Sequence, residues 1–222
     1  MKRVLVWTGL LVIAAGAPAF AQAHVEISGF AGWVFSDGVS GDARIGYDGG
    51  VYDRIDPKDS ANFGFSVGVL VSDNAEVGFM YARQNSALVA AGPNAEREVG
   101  DMAVTGYHGY FGYNWGDPDA VVRPFFFGGL GATNFGEVTG TIGGATRTIG
   151  SESQFSTTWG AGVKIYPAPG FGLRVGMHWT PTYIKSDAGG IWCDPWYGFC
   201  YVVGNAQYSN QWQINGGLSF RF

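Results

Sequence analysis

The chain has 222 residues, of which 46% are hydrophobic, 16% aromatic and only 14% charged, with 37 glycines. Its formal charge is −5; without Lys2 and Arg3 the 13 basic residues fall to 11 against 18 acidic ones, giving −7, and this acidic balance without a basic patch argues against nucleic acid as a partner. Many aromatics with few charges suit a barrel that carries an aromatic belt outside and small residues inside, and the length allows one domain.

In chain order, Lys2 and Arg3 precede an apolar run from Val4 to Gly16, followed by Ala17-Pro18-Ala19-Phe20-Ala21-Gln22-Ala23 with small-residue cleavage positions after Ala21 or Ala23. This is the pattern of a secretory signal peptide, residues 1–21 or alternatively 1–23, ahead of a barrel domain over 22–222. The apolar run is shorter than the roughly 20 residues a spanning helix needs, and no later stretch reaches that length.

Period-two alternation then predicts eight strands. The first, near Val25 to Phe35, sets Val25, Ile27, Ala31, Trp33 and Phe35 against Glu26, Ser28 and Gly32. After the polar stretch Ser36 to Ala61, the second (Phe63 to Val71) alternates Phe and Val with Gly and Ser, and Ser72-Asp73-Asn74 turns the chain. The third, Glu76 to Ser86, points Val77, Phe79 and Tyr81 outward; a long connection, Ala87 to Asp101, leads to the fourth, Met102 to Trp115. Gly116-Asp117-Pro118-Asp119 turns into the fifth, Val121 to Phe135, where Phe125-Phe126-Phe127 is apolar on both faces. The polar segment Gly136 to Glu152 precedes the sixth, Gln154 to Tyr166; Pro167-Ala168-Pro169-Gly170 leads into the seventh, Phe171 to Ile184, and a last loop into the eighth, Gln207 to Phe222.

The connections alternate long and short, with an even strand number, as in outer-membrane barrels with short periplasmic turns and long outer loops. The expected fold is therefore all-β: an eight-stranded antiparallel up-and-down transmembrane β-barrel.

The terminal Gly217-Leu218-Ser219-Phe220-Arg221-Phe222, the loop–turn rhythm and the leader together resemble the small eight-stranded outer-membrane barrels of the OmpA-like and OmpW-like type, over essentially the whole mature length. The resemblance implies a Gram-negative-type outer membrane, with outer-membrane lipid and lipopolysaccharide as surroundings. It also implies recognition by the barrel-assembly machinery through Leu218, Phe220 and Phe222. OmpA-like proteins can carry a peptidoglycan-binding domain after the barrel; this chain is expected to lack that role.

Several constellations could carry chemistry. By alternation Glu26, Glu76, Arg123, Lys164, Arg174 and Arg221 face the lumen near the periplasmic strand ends, where two carboxylates against four cations predict one buried network. Such a network plugs an eight-stranded interior, which side chains can fill; a gated ion path is the competing reading. His108 and His178 face the lumen at mid-height and are expected as hydrogen-bonded fillers, two ligands without a third being a poor metal site. Gln22-Ala23-His24 could wrap Cu(II) in a square plane only if cleavage follows Ala21. The aspartates of the first loop, Asp37 to Asp59, lack the spacing of a calcium loop. No GxSxG, HExxH or phosphate-loop motif is present, and neither enzyme activity, cofactor nor metal is expected.

Cys193 and Cys200 enclose Asp194-Pro195-Trp196-Tyr197-Gly198-Phe199 and, in an exported protein, read as a disulfide stapling the last loop. Aromatics around that staple suit a contact surface or a cap on the mouth. Pro181, between Trp179 and Tyr183, marks a strand end at the interface or a lateral opening for a hydrophobic solute, which the OmpW-like resemblance allows. The expected role of this monomeric barrel is structural and surface-exposed: envelope integrity with contacts through the long loops. The alternative is a narrow channel or uptake route for small hydrophobic solutes.

Overall fold

The computed structural model describes residues 24–47, 50–142, 145–184, 191–193, 200–202 and 207–222, with the backbone alone described at 39–47, 50–53, 140–142, 145–147, 149, 191–193, 200–202 and 207. Along the chain run β1 (Val25–Asp37), β2 (Val39–Tyr47), β3 (Gly50–Pro57), β4 (Ser60–Leu70), β5 (Ala75–Ala91), β6 (Glu96–Asn114) and β7 (Val122–Phe135). Then follow β8 (Val138–Ile142), β9 (Ala145–Ile149), β10 (Glu152–Ala168), β11 (Phe171–Ile184), β12 (Ile191–Cys193), β13 (Cys200–Val202) and β14 (Gln207–Arg221).

Eight of these are barrel staves: β1, β4, β5, β6, β7, β10, β11 and β14, each antiparallel to its neighbours. The ring closes where β1 meets β14, from Glu26↔Arg221 to Asp37↔Asn210. The fold is thus the expected all-β up-and-down barrel. Closure leaves no open edge among the staves, the condition a β protein must meet in lipid.

Alternation decides which side chain meets which solvent. Ile27, Trp33 and Phe35 of β1 are exposed on the outside, while Glu26, Ser28, Phe30 and Val34 are buried inside. The outward apolar run Val25–Phe35 on β1 spans about 25 Å at ~3.3 Å per residue and a tilt near 40°, the height of a lipid-facing band. Near its loop end an aromatic row crosses four staves: Trp159↔Trp179, Trp179↔Trp212, Phe35↔Trp212. Among the short turns, Gly116 (φ 93°) and Gly170 (φ 75°) occupy the left-handed region that favours glycine.

The interior glycines make room for large lumen side chains. A Cβ on Gly78 would lie 2.6 Å from the Tyr110 hydroxyl, and one on Gly160 would lie 2.5 Å from the Phe127 ring. A barrel this narrow accommodates an aromatic ring only where the facing residue has no side chain. The ambiguous triplet of β7 resolves on the same basis: Phe126 faces out, whereas Phe125 and Phe127 join Phe30, Met80 and Tyr110 in an apolar lumen layer.

The long connections differ from expectation. Ala87 to Asp101 is not a loop: β5 and β6 remain paired out to Ala91↔Glu96. Ser36–Ala61 contains the hairpin β2–β3, and Gly136–Glu152 contains β8–β9; these flank the β5–β6 extension. Backbone groups beyond the lipid band still need partners, and the extended sheet supplies them. Leu88, Met102, Val104 and Val138 bury a small core there, which removes the simple alternation that marks a stave.

Candidate functional site

The turn end of the lumen holds the charged residues. Lys164 on β10 is the hub, its Nζ lying 2.6 Å from Glu26 Oε1 and 2.9 Å from Glu76 Oε2. Arg221 Nη2 adds a contact of 3.2 Å to Glu26 Oε2. Two tyrosines complete the shell: Tyr166 Oη donates to Glu26 at 2.7 Å, and Tyr110 Oη donates to Glu76 at 2.5 Å. Asn114 Nδ2 adds a bond to Glu76 at 3.3 Å. Glu26, Glu76 and Lys164 are each at most 4% exposed, so the ions are stabilised by one another rather than by water.

Arg123 and Arg174 depart from the single six-residue network. Neither has a carboxylate within ion-pair distance among the described residues. Arg123 Nη2 donates to the Asp73 carbonyl at 2.9 Å and to Asn74 Oδ1 at 2.7 Å, tying β7 to the β4–β5 turn. Arg174 stacks its guanidinium 4.5 Å from the Phe125 ring centroid and donates to Ser66 Oγ at 3.4 Å. The barrel's stagger sets these distances: residues alike in their distance from a strand end differ in height across the lumen. Tyr110 and Tyr166 fall outside the charged set expected from sequence, although they share the inward parity of His108 and Lys164, respectively.

Above the aromatic layer is a cavity of about 430 Å³, its open side included, lined among others by Asn62, Gln84, His108, Thr180, Gln211 and Gln213. His108 Nε2 pairs with Ser156 Oγ at 2.8 Å, and Thr133 also donates to that oxygen at 2.9 Å. His178 packs edge-on to Phe127 and Phe30, with Nε2 3.3 Å from Asn215 Nδ2. The two histidines therefore bond to different neutral partners.

Pro181 pairs with Asn210, and the β11–β14 ladder continues past it to Ile184↔Gln207. The interruption is on its other side. The β10–β11 ladder stops at Trp159↔Trp179 and resumes with Ser156↔Thr182, so Thr157, Thr158, Thr180 and Pro181 form no ladder pairs there. A hydroxyl bond from Thr180 Oγ1 to Thr158 Oγ1 at 3.2 Å bridges the gap. Cys193 and Cys200 are directly opposed in the β12–β13 ladder, while their side chains and residues 194–199 lie outside those described. Residues 1–23, including the leader and Gln22-Ala23, also lie outside the described residues. At the chain end, Phe222 exchanges backbone hydrogen bonds with Val25 at 3.2 and 2.9 Å, and Leu218, Phe220 and Phe222 are exposed on the outer face.

Comparison with known proteins agrees with this architecture. Residues 8–222 match the family model described as outer membrane protein beta-barrel domain. No curated protein matches the chain. The solved structure of OprG from Pseudomonas aeruginosa is similar in fold, with 14% identity, a TM-score of 0.59, and coverage of 90% of this chain and 95% of that one. Neisserial surface protein A (NspA) is similar at 14% identity and a TM-score of 0.52, covering 90% of this chain and 97% of its own. These identities carry the fold alone. Closed staves, a lipid-facing apolar band and a family match over residues 8–222 together identify the chain as a member of the outer membrane protein β-barrel domain family.

Proposed function

We propose that this barrel serves a structural, surface-exposed role in a Gram-negative-type outer membrane, with its lumen closed by the charged cluster. The supporting observation is Lys164, held at 2.6 and 2.9 Å by both buried carboxylates, beside the buried lumen cluster that includes Phe30, Phe125 and Phe127. A plug built from paired ions around Lys164 and packed rings leaves little path for hydrated solutes. The outer sheet then presents the contact surface, stapled at its last loop by a Cys193–Cys200 disulfide. Export by the N-terminal leader, assembly through Leu218, Phe220 and Phe222, and a monomer surrounded by lipid and lipopolysaccharide complete this reading. Ser156 and His108 do not constitute catalytic machinery in it: Ser156 also receives Thr133, and no carboxylate bonds to His108 among the described residues. In planar bilayers the protein should show no stable pore, and Arg174→Ala should lower its melting temperature without opening one. A large, steady rise in conductance in that variant would overturn the plug.

A second reading, a lateral route for small hydrophobic solutes, rests on the unpaired stretch of the β10–β11 ladder opposite Pro181, next to the Thr180-lined cavity. Lost ladder bonds weaken this seam. If it conducts solute, Pro181→Thr should slow uptake of a hydrophobic fluorophore into proteoliposomes; equal rates would dismiss the route.

A further inference from the structure

Among the described residues the lumen cations outnumber their counter-ions, and the surplus is concentrated. Arg123, Lys164 and Arg174 are register partners on three adjacent staves, Arg123↔Lys164 and Lys164↔Arg174, forming an inward row of three cations. Like charges directly opposite one another destabilise a sheet unless anions compensate them. The two carboxylates engage Lys164 and Arg221. Arg174 is sheltered by the faces of Phe125 and Phe127. Arg123 has neither an ion-pair contact nor a ring face against it among the described residues.

Arg123 is fully buried, yet its Nε and Nη1 have no hydrogen-bond partner, and Arg221 Nε is similarly bare. Arg221 Nη1 donates to the Pro118 carbonyl at 3.4 Å, in the turn that leads into β7, which brings its guanidinium to the barrel end where Arg123 lies. Arg221, whose side chain is 17% exposed, forms the open side of this pair at the turn end of the barrel. Of the nearby carboxylates, Glu26 is held by Lys164 and Arg221, and Asp117 Oδ1 is engaged by the Asp119 N–H at 2.9 Å. Buried guanidinium donors left without acceptors, beside a second cation, are expensive unless an anion meets them.

We propose that Arg123 and Arg221 form a binding site for a tetrahedral oxyanion, a phosphate group, at the periplasmic mouth of the lumen. Its bare N–H donors on two guanidinium groups suit the oxygens of such an anion, which accepts from arginine by charge-assisted bonds. The anion would neutralise the outer member of the cation row and tie β7 to β14 across the mouth. The phosphate could be free in the periplasm or belong to a phospholipid of the inner leaflet.

The test uses the full barrel refolded in a phosphate-free glycoside detergent. Inorganic phosphate should raise the melting temperature saturably, whereas chloride at equal ionic strength should not. Phosphorus-31 resonance broadening should titrate over the same concentrations. Arg123→Gln should weaken the apparent affinity about ten-fold or more, the loss expected for charged hydrogen bonds, while Arg123→Lys should retain part of it. Should Arg123→Gln fail to fold, Arg221→Gln at the open side provides the same comparison. A parallel sample with phosphatidylglycerol in mixed micelles, without inorganic phosphate, distinguishes the sources: stabilisation there, lost in the same variants, assigns a lipid headgroup. No saturable effect in either sample indicates a site filled by water and overturns the proposal, as does a full phosphate response in Arg123→Gln.

Discussion

Lys164→Met removes the hub of the lumen cluster while nearly preserving its volume. In the native barrel Lys164 Nζ contacts Glu26 and Glu76 at 2.6 and 2.9 Å, in a site where all three residues are at most 4% exposed. Without it Glu26 keeps Arg221 at 3.2 Å and Tyr166 at 2.7 Å. Among the described residues Glu76 keeps only the neutral donors Tyr110 and Asn114. The variant thus strands one buried carboxylate, a change that costs about 3–5 kcal/mol when a partner is removed. Adding Glu76→Gln removes the stranded charge, so the double variant should recover more than about 1.5 kcal/mol relative to additivity, within the range of directly coupled pairs. Urea unfolding in phospholipid vesicles, followed by tryptophan fluorescence, measures both quantities. A loss below about 1 kcal/mol for Lys164→Met, or strict additivity with Glu76→Gln, would falsify the account of Lys164 as shared counter-ion.

Glycine substitutions should separate lipid-facing from close-packed positions. A Cβ on Gly29 meets nothing within 4 Å, so Gly29→Ala should change unfolding free energy by less than about 0.5 kcal/mol. A Cβ on Gly131 would lie 1.9 Å from the Tyr107 carbonyl, which cannot swing aside, so Gly131→Ala should lose about 1–3 kcal/mol or prevent assembly. In the outer sheet, burial raises the Asp56 pKa above the usual carboxylate value, although Arg54 Nε lies 2.6 Å away. A raised folded value means the folded state binds the proton more tightly. Its contribution is full below the unfolded pKa and is lost as pH rises through the folded one. Amide protection around Ile55 and Asp56, corrected for intrinsic exchange, should therefore increase as pH falls toward 4, and Asp56→Asn should abolish the trend. Finally, Cys193 and Cys200 face each other in one ladder, at a spacing compatible with a disulfide. Mass spectrometry after alkylation should find both unlabelled until reductant is added; labelling of either without reductant counts against the staple.

The eight staves were legible in the sequence because lipid outside and a polar lumen inside impose a period of two that nothing else interrupts. Val25 to Phe35, Phe171 to Ile184 and the terminal strand fall where alternation places them. Beyond the lipid band the constraint lapses: Ala87 to Asp101 continues the same sheet between two flanking hairpins and buries a small core of its own, so its residues no longer sort by face, and a paired extension looks like a loop. Phe125 and Phe127 were illegible for a related reason. The lumen accepts rings where Gly160 and Gly162 lie opposite them, a fact that depends on the neighbouring stave.

The inward orientation of Glu26, Glu76, Arg123, Lys164, Arg174 and Arg221 followed from parity along each strand, a local property of the chain. Their pairing did not. Lys164 reaches both carboxylates, Arg174 rests on an aromatic ring, and Arg123 turns to the Ser72–Asn74 turn because the stagger of the staves fixes relative height across the lumen. Sequence alone determined that this chain would form a barrel and which faces would be wet. The closed sheet decided which charges meet and which guanidinium donors remain bare, because only closure brings strands distant in sequence into one cross-section.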